Sequence, residues 1–147
     1  MVAYGKAART DEGFGLQYAA LPWRKAGGGR REVLLVTSRE TGRWVLPKGW
    51  PMKRRSPSEA AAREAFEEAG VRGDVCREAL GAYTYLKAFN EALAFRCEVQ
   101  VFALQVTREL KDWPERAERT RRWFSPEEAA AAVDEPELQA LIRGWAA

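Results

Sequence analysis

Histidine is absent from this sequence of 147 residues, which removes the commonest metal ligand and the commonest general base near neutral pH. Any catalysis must therefore rest on carboxylates or on bound metal. Cysteine is almost absent as well. Cys76 and Cys97 are the two present, too few for a disulfide framework, and both fall in segments that read as strands. The expectation is two buried free thiols in a reducing compartment. No apolar run approaches the roughly 18 residues of a membrane span, and the stretch Met1 to Phe14 carries charges but no apolar core of signal-peptide length. A cytoplasmic location is expected. Repeats, low-complexity tracts and long linkers are missing too, so residues 1–147 read as a single domain, a length that buries about 68–70% of the unfolded chain's surface without staples.

The net charge is only +3, yet cations gather at Lys53-Arg54-Arg55 and at Arg116, Arg119, Arg121 and Arg122. Solvated surface and a lining for an anionic ligand such as a polyphosphate both fit. A nucleic-acid partner does not, since the excess is small and no nucleic-acid motif appears. Nothing in the sequence specifies an oligomeric state.

Gly27-Gly28-Gly29 marks a turn between two strands, 15–23 and 32–37, and Trp44-Val45-Leu46 and 80–86 read as further strands. From Phe95 to Val101 apolar and polar residues alternate, with Phe95, Cys97, Val99 and Val101 on the core face. Two helices are announced by Ser56-Pro57-Ser58-Glu59 and Ser125-Pro126-Glu127-Glu128, each a serine cap, a proline at the first position and a glutamate at the third. The first should stop at Gly70 and the second run from about 126 to 133, with a third at about 136–144. Strands on either side of a central helix, with helices at the end, predict an α+β fold in which a mixed sheet packs between helices.

The chemistry concentrates on the first helix. In Arg63-Glu64-Ala65-Phe66-Glu67-Glu68-Ala69-Gly70, a turn of about 100° per residue gathers Glu64, Glu67 and Glu68 on one side, and Ala62, Phe66 and Ala69 on an opposite, core-facing stripe. A solvated amphipathic helix is the plain alternative. Against it, like charges three and four residues apart oppose a bare helix by about 0.2–0.5 kcal/mol per pair, and a divalent cation reverses that sign. Arg63 reaches Glu67 one turn later and Glu59 one turn earlier, and so can orient a ligand carboxylate. Oxygen-only ligands suit magnesium, or manganese, rather than zinc.

Gly49 through Val71 resembles the signature of the Nudix hydrolases, with Gly49, Arg63, Glu64, Glu67, Glu68, Gly70 and Val71 at the matching spacing. Arg55 stands where the signature has its first glutamate, which normally helps brace the loop, and Ala65 replaces a larger aliphatic residue. Trp44 to Gly49, Val106-Thr107, Asp112-Trp113 and Arg121 to Phe124 further resemble the diphosphoinositol polyphosphate phosphohydrolases, which also act on dinucleoside polyphosphates. The resemblance implies an α/β/α sandwich with a central loop-helix-loop motif. It also implies metal-assisted attack of water on a phosphoanhydride bond, with Glu64, Glu67 and Glu68 holding magnesium, the Gly49 carbonyl as a further ligand and Glu64 as candidate general base. Glu98 and Glu109 are further candidates for the site. Lys48, Lys53, Arg54 and Arg55 surround the start of the box and can clamp phosphates. Trp50 can cover a base or an inositol ring, or simply pack. The implied substrate is an anionic polyphosphate: a diphosphoinositol or dinucleoside polyphosphate, with a nucleoside triphosphate or sugar nucleotide as alternatives. A catalytically silent nucleotide-binding module is the alternative of another class.

Overall fold

Four consecutive apolar residues, Val33 to Val36, are each fully buried, a pattern that requires a strand covered on both faces. The computed structural model, which describes residues 10, 13–90 and 93–147, shows how. Most of the charged stretch Met1 to Phe14 lies outside the described residues. The strands are β1 (Gly15–Lys25), β2 (Arg31–Thr37), β3 (Trp44–Val45), β4 (Lys48–Gly49), β5 (Val71–Val75), β6 (Gly81–Asn90), β7 (Leu93–Glu109) and β8 (Arg121–Phe124). Helix α1 (Pro57–Glu64) runs directly into a π-helical turn, Ala65–Ala69, and α2 (Pro126–Ala132) and α3 (Pro136–Ala146) close the chain.

Strands β1 and β7 pair in parallel and every other pairing is antiparallel, giving one mixed sheet in the order β3-β2-β1-β7-β5 with β4, β6 and β8 attached. Val33 and Leu35 point into a cluster with Val99, Val101, Leu138 and Ile142 beneath α2 and α3. Leu34 and Val36 point the other way, against Ala61, Ala65, Ala69, Phe102 and Leu104 beneath α1. The fold is thus the expected α/β/α sandwich. Among the described residues no helix is long and apolar enough to cross a membrane.

Both serine caps form as the sequence predicts. Ser56 Oγ accepts from the Glu59 N–H at 3.3 Å while Glu59 Oε1 accepts from the Ser56 N–H at 2.8 Å, and Ser125 and Glu128 repeat the exchange at 3.1 Å each way. Gly70 ends the helix at φ 67°, the left-handed conformation expected of it.

Three expectations change. Ala62 and Phe66 are not in the core stripe. That stripe is Ala61, Ala65 and Ala69, all fully buried, and Phe66 lies half-buried under the guanidinium groups of Arg63 and Arg72. The reason is that α1 turns part of its acidic side, not its opposite, toward the sheet. Cys97 is buried as expected, but Cys76 is exposed, one residue past the end of β5. The strand expected around Cys76 is β5, which ends at Val75 and forms although Gly73 and Asp74 are residues depleted in strands. Gly73 is needed there, because a Cβ would collide with the Gln105 carbonyl at the point where the register of β5 against β7 shifts.

Candidate active site

The loop between β4 and α1 and the strand ends of β1, β2 and β6 enclose a cleft of about 640 Å³ whose floor is carboxylate. Glu64 and Glu68 share a hydrogen bond there. Burial, together with the charges of Glu68 and Glu67, pushes the Glu64 carboxyl up to about 8. Burial also raises Glu68, although Arg119 and Lys48 pull it back. Gly49 makes this possible, since a Cβ at Gly49 would strike the Glu64 carboxylate.

The pairing follows from the π turn. In a regular α-helix residues four apart advance by about 40° around the axis. The wider i→i+5 turn brings them closer to alignment, and two such pairs meet here: Glu64 with Glu68, and Arg63 with Glu67, Nε to Oε2 at 2.6 Å. Glu67 is therefore held by Arg63 and is not among the residues lining the cleft. Of the three expected carboxylates, two come together. Among the described residues no three acidic side chains are gathered tightly enough to close around an ion.

The segment between β7 and β8 holds the helix end in place. The Glu115 N–H donates to the Glu67 carbonyl at 3.0 Å and Trp113 Nε1 to that of Glu68 at 3.2 Å. Arg121 Nη1 reaches the carbonyls of Ala69 and Gly70 at 3.0 and 3.1 Å. Carbonyls that a helix leaves unpaired are thus satisfied one after another, which fixes the acidic turn. Arg119, with a side chain only 9% exposed, bridges Glu115 at 2.7 Å and Glu68 at 3.5 Å and donates to the Thr37 carbonyl at 3.1 Å. The four arginines 116, 119, 121 and 122 consequently do not form one cationic patch. Arg119 lines the cleft, Arg121 stacks on Trp113 at 4.0 Å, Arg122 lies over Phe124, and Arg116 is exposed beside Asp112.

Lys48 lines the cleft with its ammonium 4.9 Å from the Tyr85 ring centre, and burial lowers its pKa. Trp50 lines it too and stacks on Phe95, ring centres 6.3 Å apart and planes 13° from parallel. Lys53, Arg54 and Arg55 line a different depression, together with Glu59. Neither Glu98 nor Glu109 reaches the cleft, and Glu109 pairs instead with Arg24 and Trp123. Sequence reasoning missed Arg39, Glu40, Lys87, Glu115 and Arg119 as lining residues. Only Arg119 had any signal, as a member of a basic cluster.

A mixed-sheet sandwich with a carboxylate pair presented by a loop-helix-loop is a recognisable class of hydrolase-like site. The NUDIX domain model matches residues 17–143, and the chain belongs to the Nudix family. It is 37% identical over 127 residues to Nudix hydrolase 12, mitochondrial, of Arabidopsis thaliana, a match covering 84% of this chain but 58% of that one. It is also 37% identical over 121 residues to diphosphoinositol polyphosphate phosphohydrolase 3-alpha of Mus musculus, covering 80% of this chain and 68% of that one. Among solved structures, a binary complex of the C. elegans Ap4A hydrolase superposes with a TM-score of 0.65 at 21% identity, covering 88% of this chain and 93% of the other. That last likeness concerns the fold.

Proposed function

We propose that the cleft hydrolyses a phosphoanhydride bond in a nucleoside-diphosphate-linked or polyphosphorylated small molecule, with magnesium, or manganese in its place, as cofactor. The observation that carries this reading is the buried pair Glu64 and Glu68. Two carboxylates held against each other, one with its pKa pushed up to about 8, form a site deficient in positive charge. The donors are oxygen alone, which fits a hard divalent ion. Glu64 and Glu68 would hold it, with Gly49 close by, while Glu67 is bonded to Arg63. Such an ion, when bound, neutralises phosphate oxygens and lowers the pKa of an attacking water.

The chain's own groups do the rest. Arg119 fixes Glu68 in place, and Glu64, once ionised, would take the proton of the attacking water. Among the described residues Lys48 and Lys87 are the cleft's cations that enter no salt bridge, which suits them to meet phosphate oxygens. The names of the relatives support two substrate classes, diphosphoinositol and dinucleoside polyphosphates. Trp50 favours the second, because a stacked aromatic at the cleft wall suits a base. Two lysines also suit a short phosphate chain better than a densely phosphorylated ring. The test is a set of specificity constants with and without magnesium. A dinucleoside tetraphosphate should exceed a diphosphoinositol polyphosphate and any nucleoside triphosphate. A preference for a triphosphate over every longer substrate would overturn the substrate assignment and leave the metal assignment standing.

A further inference from the structure

The densest run of cations in the sequence plays no part in the cleft. Lys53, Arg54 and Arg55 are exposed and line a depression of about 460 Å³, which shares Arg55 and Glu59 with a second of about 240 Å³ that Arg63 and Arg72 enter. We infer that this outer face of α1 is a second anion site, separate from the catalytic cleft, which binds a phosphate-rich small molecule such as a polyphosphate chain.

The charge distribution points there first. In the cleft, Arg39, Lys48, Lys87 and Arg119 are matched by Glu40, Glu64, Glu68 and Glu115. On the outer face Lys53, Arg54, Arg55, Arg63 and Arg72 line the two depressions with one carboxylate, that of Glu59, which already accepts the Ser56 N–H in the helix cap, while Arg63 is paired with Glu67. Four cations against one carboxylate remain, an excess that the cleft lacks. Among the described residues none of Lys53, Arg54, Arg55 and Arg72 enters a salt bridge.

Local geometry agrees. Arg54 is the one described non-glycine residue at positive φ, 63°, in the tight turn closed by the Arg55 N–H on the Met52 carbonyl at 3.3 Å, which holds the cationic run in a fixed bend. The Arg72 guanidinium sits 4.1 Å from the Phe66 ring centre, and that of Arg63 lies 4.9 Å from the same centre. A ring face orients the Arg72 guanidinium without consuming its N–H donors, which remain available for bidentate contacts to phosphate, whereas Arg63 also donates to Glu67.

The same features choose the ligand. Single-stranded nucleic acid needs open aromatic faces for its bases, and here Phe66 is occupied by arginine. A membrane surface calls for apolar side chains that insert, and the exposed large ones, Leu80, Leu86 and Leu93, lie elsewhere. A concave surface with clustered cations and neither of those features fits a compact polyphosphate.

Calorimetric titration of the full chain with inorganic tripolyphosphate, without divalent metal, decides the matter. Arg55→Glu and Arg72→Glu should each weaken binding at least about tenfold, as the loss of a charge-assisted contact implies, and Arg55→Gln should weaken it less. Lys111→Ala, at an exposed cation outside the cleft and both depressions, should leave the affinity within about twofold. Equal affinity in wild type and Arg55→Gln at matched melting temperatures would overturn the site, as would an equal loss of binding in Lys111→Ala. Displacement of tripolyphosphate by a short single-stranded RNA or by anionic vesicles of equal phosphate content would overturn the ligand class. Hydrolysis is measured separately, so neither outcome bears on the cleft chemistry.

Discussion

A carboxyl group that keeps its proton to about pH 8 in the folded chain, as Glu64 does, makes stability depend on pH in a definite direction. The unfolded group ionises at the ordinary value of 4.5. Between these values the folded state binds more protons, so stability falls as pH rises from about 5 to about 8. Glu68, also raised, acts in the same sense. The capping residues Glu59 and Glu128 are shifted down, and their contribution is lost only below the ordinary carboxyl range. The metal-free protein should therefore melt lower at pH 8 than at pH 5.5. Glu64→Gln should flatten that slope, and magnesium should raise the melting temperature more at pH 8 than at pH 5.5. Scanning fluorimetry across the range checks this, and a flat profile in the wild type would contradict it. Gly49→Ala tests the same carboxylate sterically: its Cβ would strike Glu64, so turnover should drop by at least about tenfold while the fold survives. At this scale Glu64 and Glu68 were legible because their spacing is local, and Gly49 through the resemblance to the Nudix signature. Lys87 and Glu115 were not, since each reaches the cleft from a distant strand or loop with no signal in its own neighbourhood.

The helix formed by α1 and the π turn after it separates a stabilising cap from the acidic residues along its length. Its start is a capping box on the outer surface, and its end carries the acids. Ser56→Ala should cost about 1 kcal/mol, a fall of about 2–4 °C in melting temperature for a chain of this size, with kcat unchanged within about twofold. A large loss of kcat would mean that the cap and the site are mechanically linked. Gly70→Ala should be worse for the fold, because it combines a positive φ with a collision against Trp113 and Arg121. Thermal melts of the two variants should rank them in that order. The caps and the closing glycine were readable from residue identity. The π turn was not, because nothing in Ala65 to Ala69 departs from an ordinary helical pattern, and it is this turn that pairs Glu64 with Glu68 and sets Glu67 against Arg63. Strand β8 was missed for another reason: a short strand of two arginines followed by Trp-Phe is stabilised by its neighbours in the sheet rather than by its own propensity.

For the whole molecule, the sandwich was legible from the order of strands and helices and from the Nudix resemblance, and the buried runs Ala19 to Leu21 and Val33 to Val36 show a sheet covered on both sides. The contact of Arg119 with Glu68 and Thr37 was beyond reach, since it depends on three segments meeting only in the folded chain. What the assembled molecule offers is a divided distribution of charge: a balanced, carboxylate-floored cleft on one side of α1 and a cationic face on the other. The claim that the cleft is a metal-dependent phosphoanhydride hydrolase is tested most directly by initial rates on a dinucleoside tetraphosphate with and without magnesium, in wild type, Glu64→Gln and Glu68→Gln. The account predicts turnover that requires the metal and falls at least about a hundredfold in both variants at unchanged fold. Metal-independent turnover, or near-wild-type rates in both variants, would contradict it.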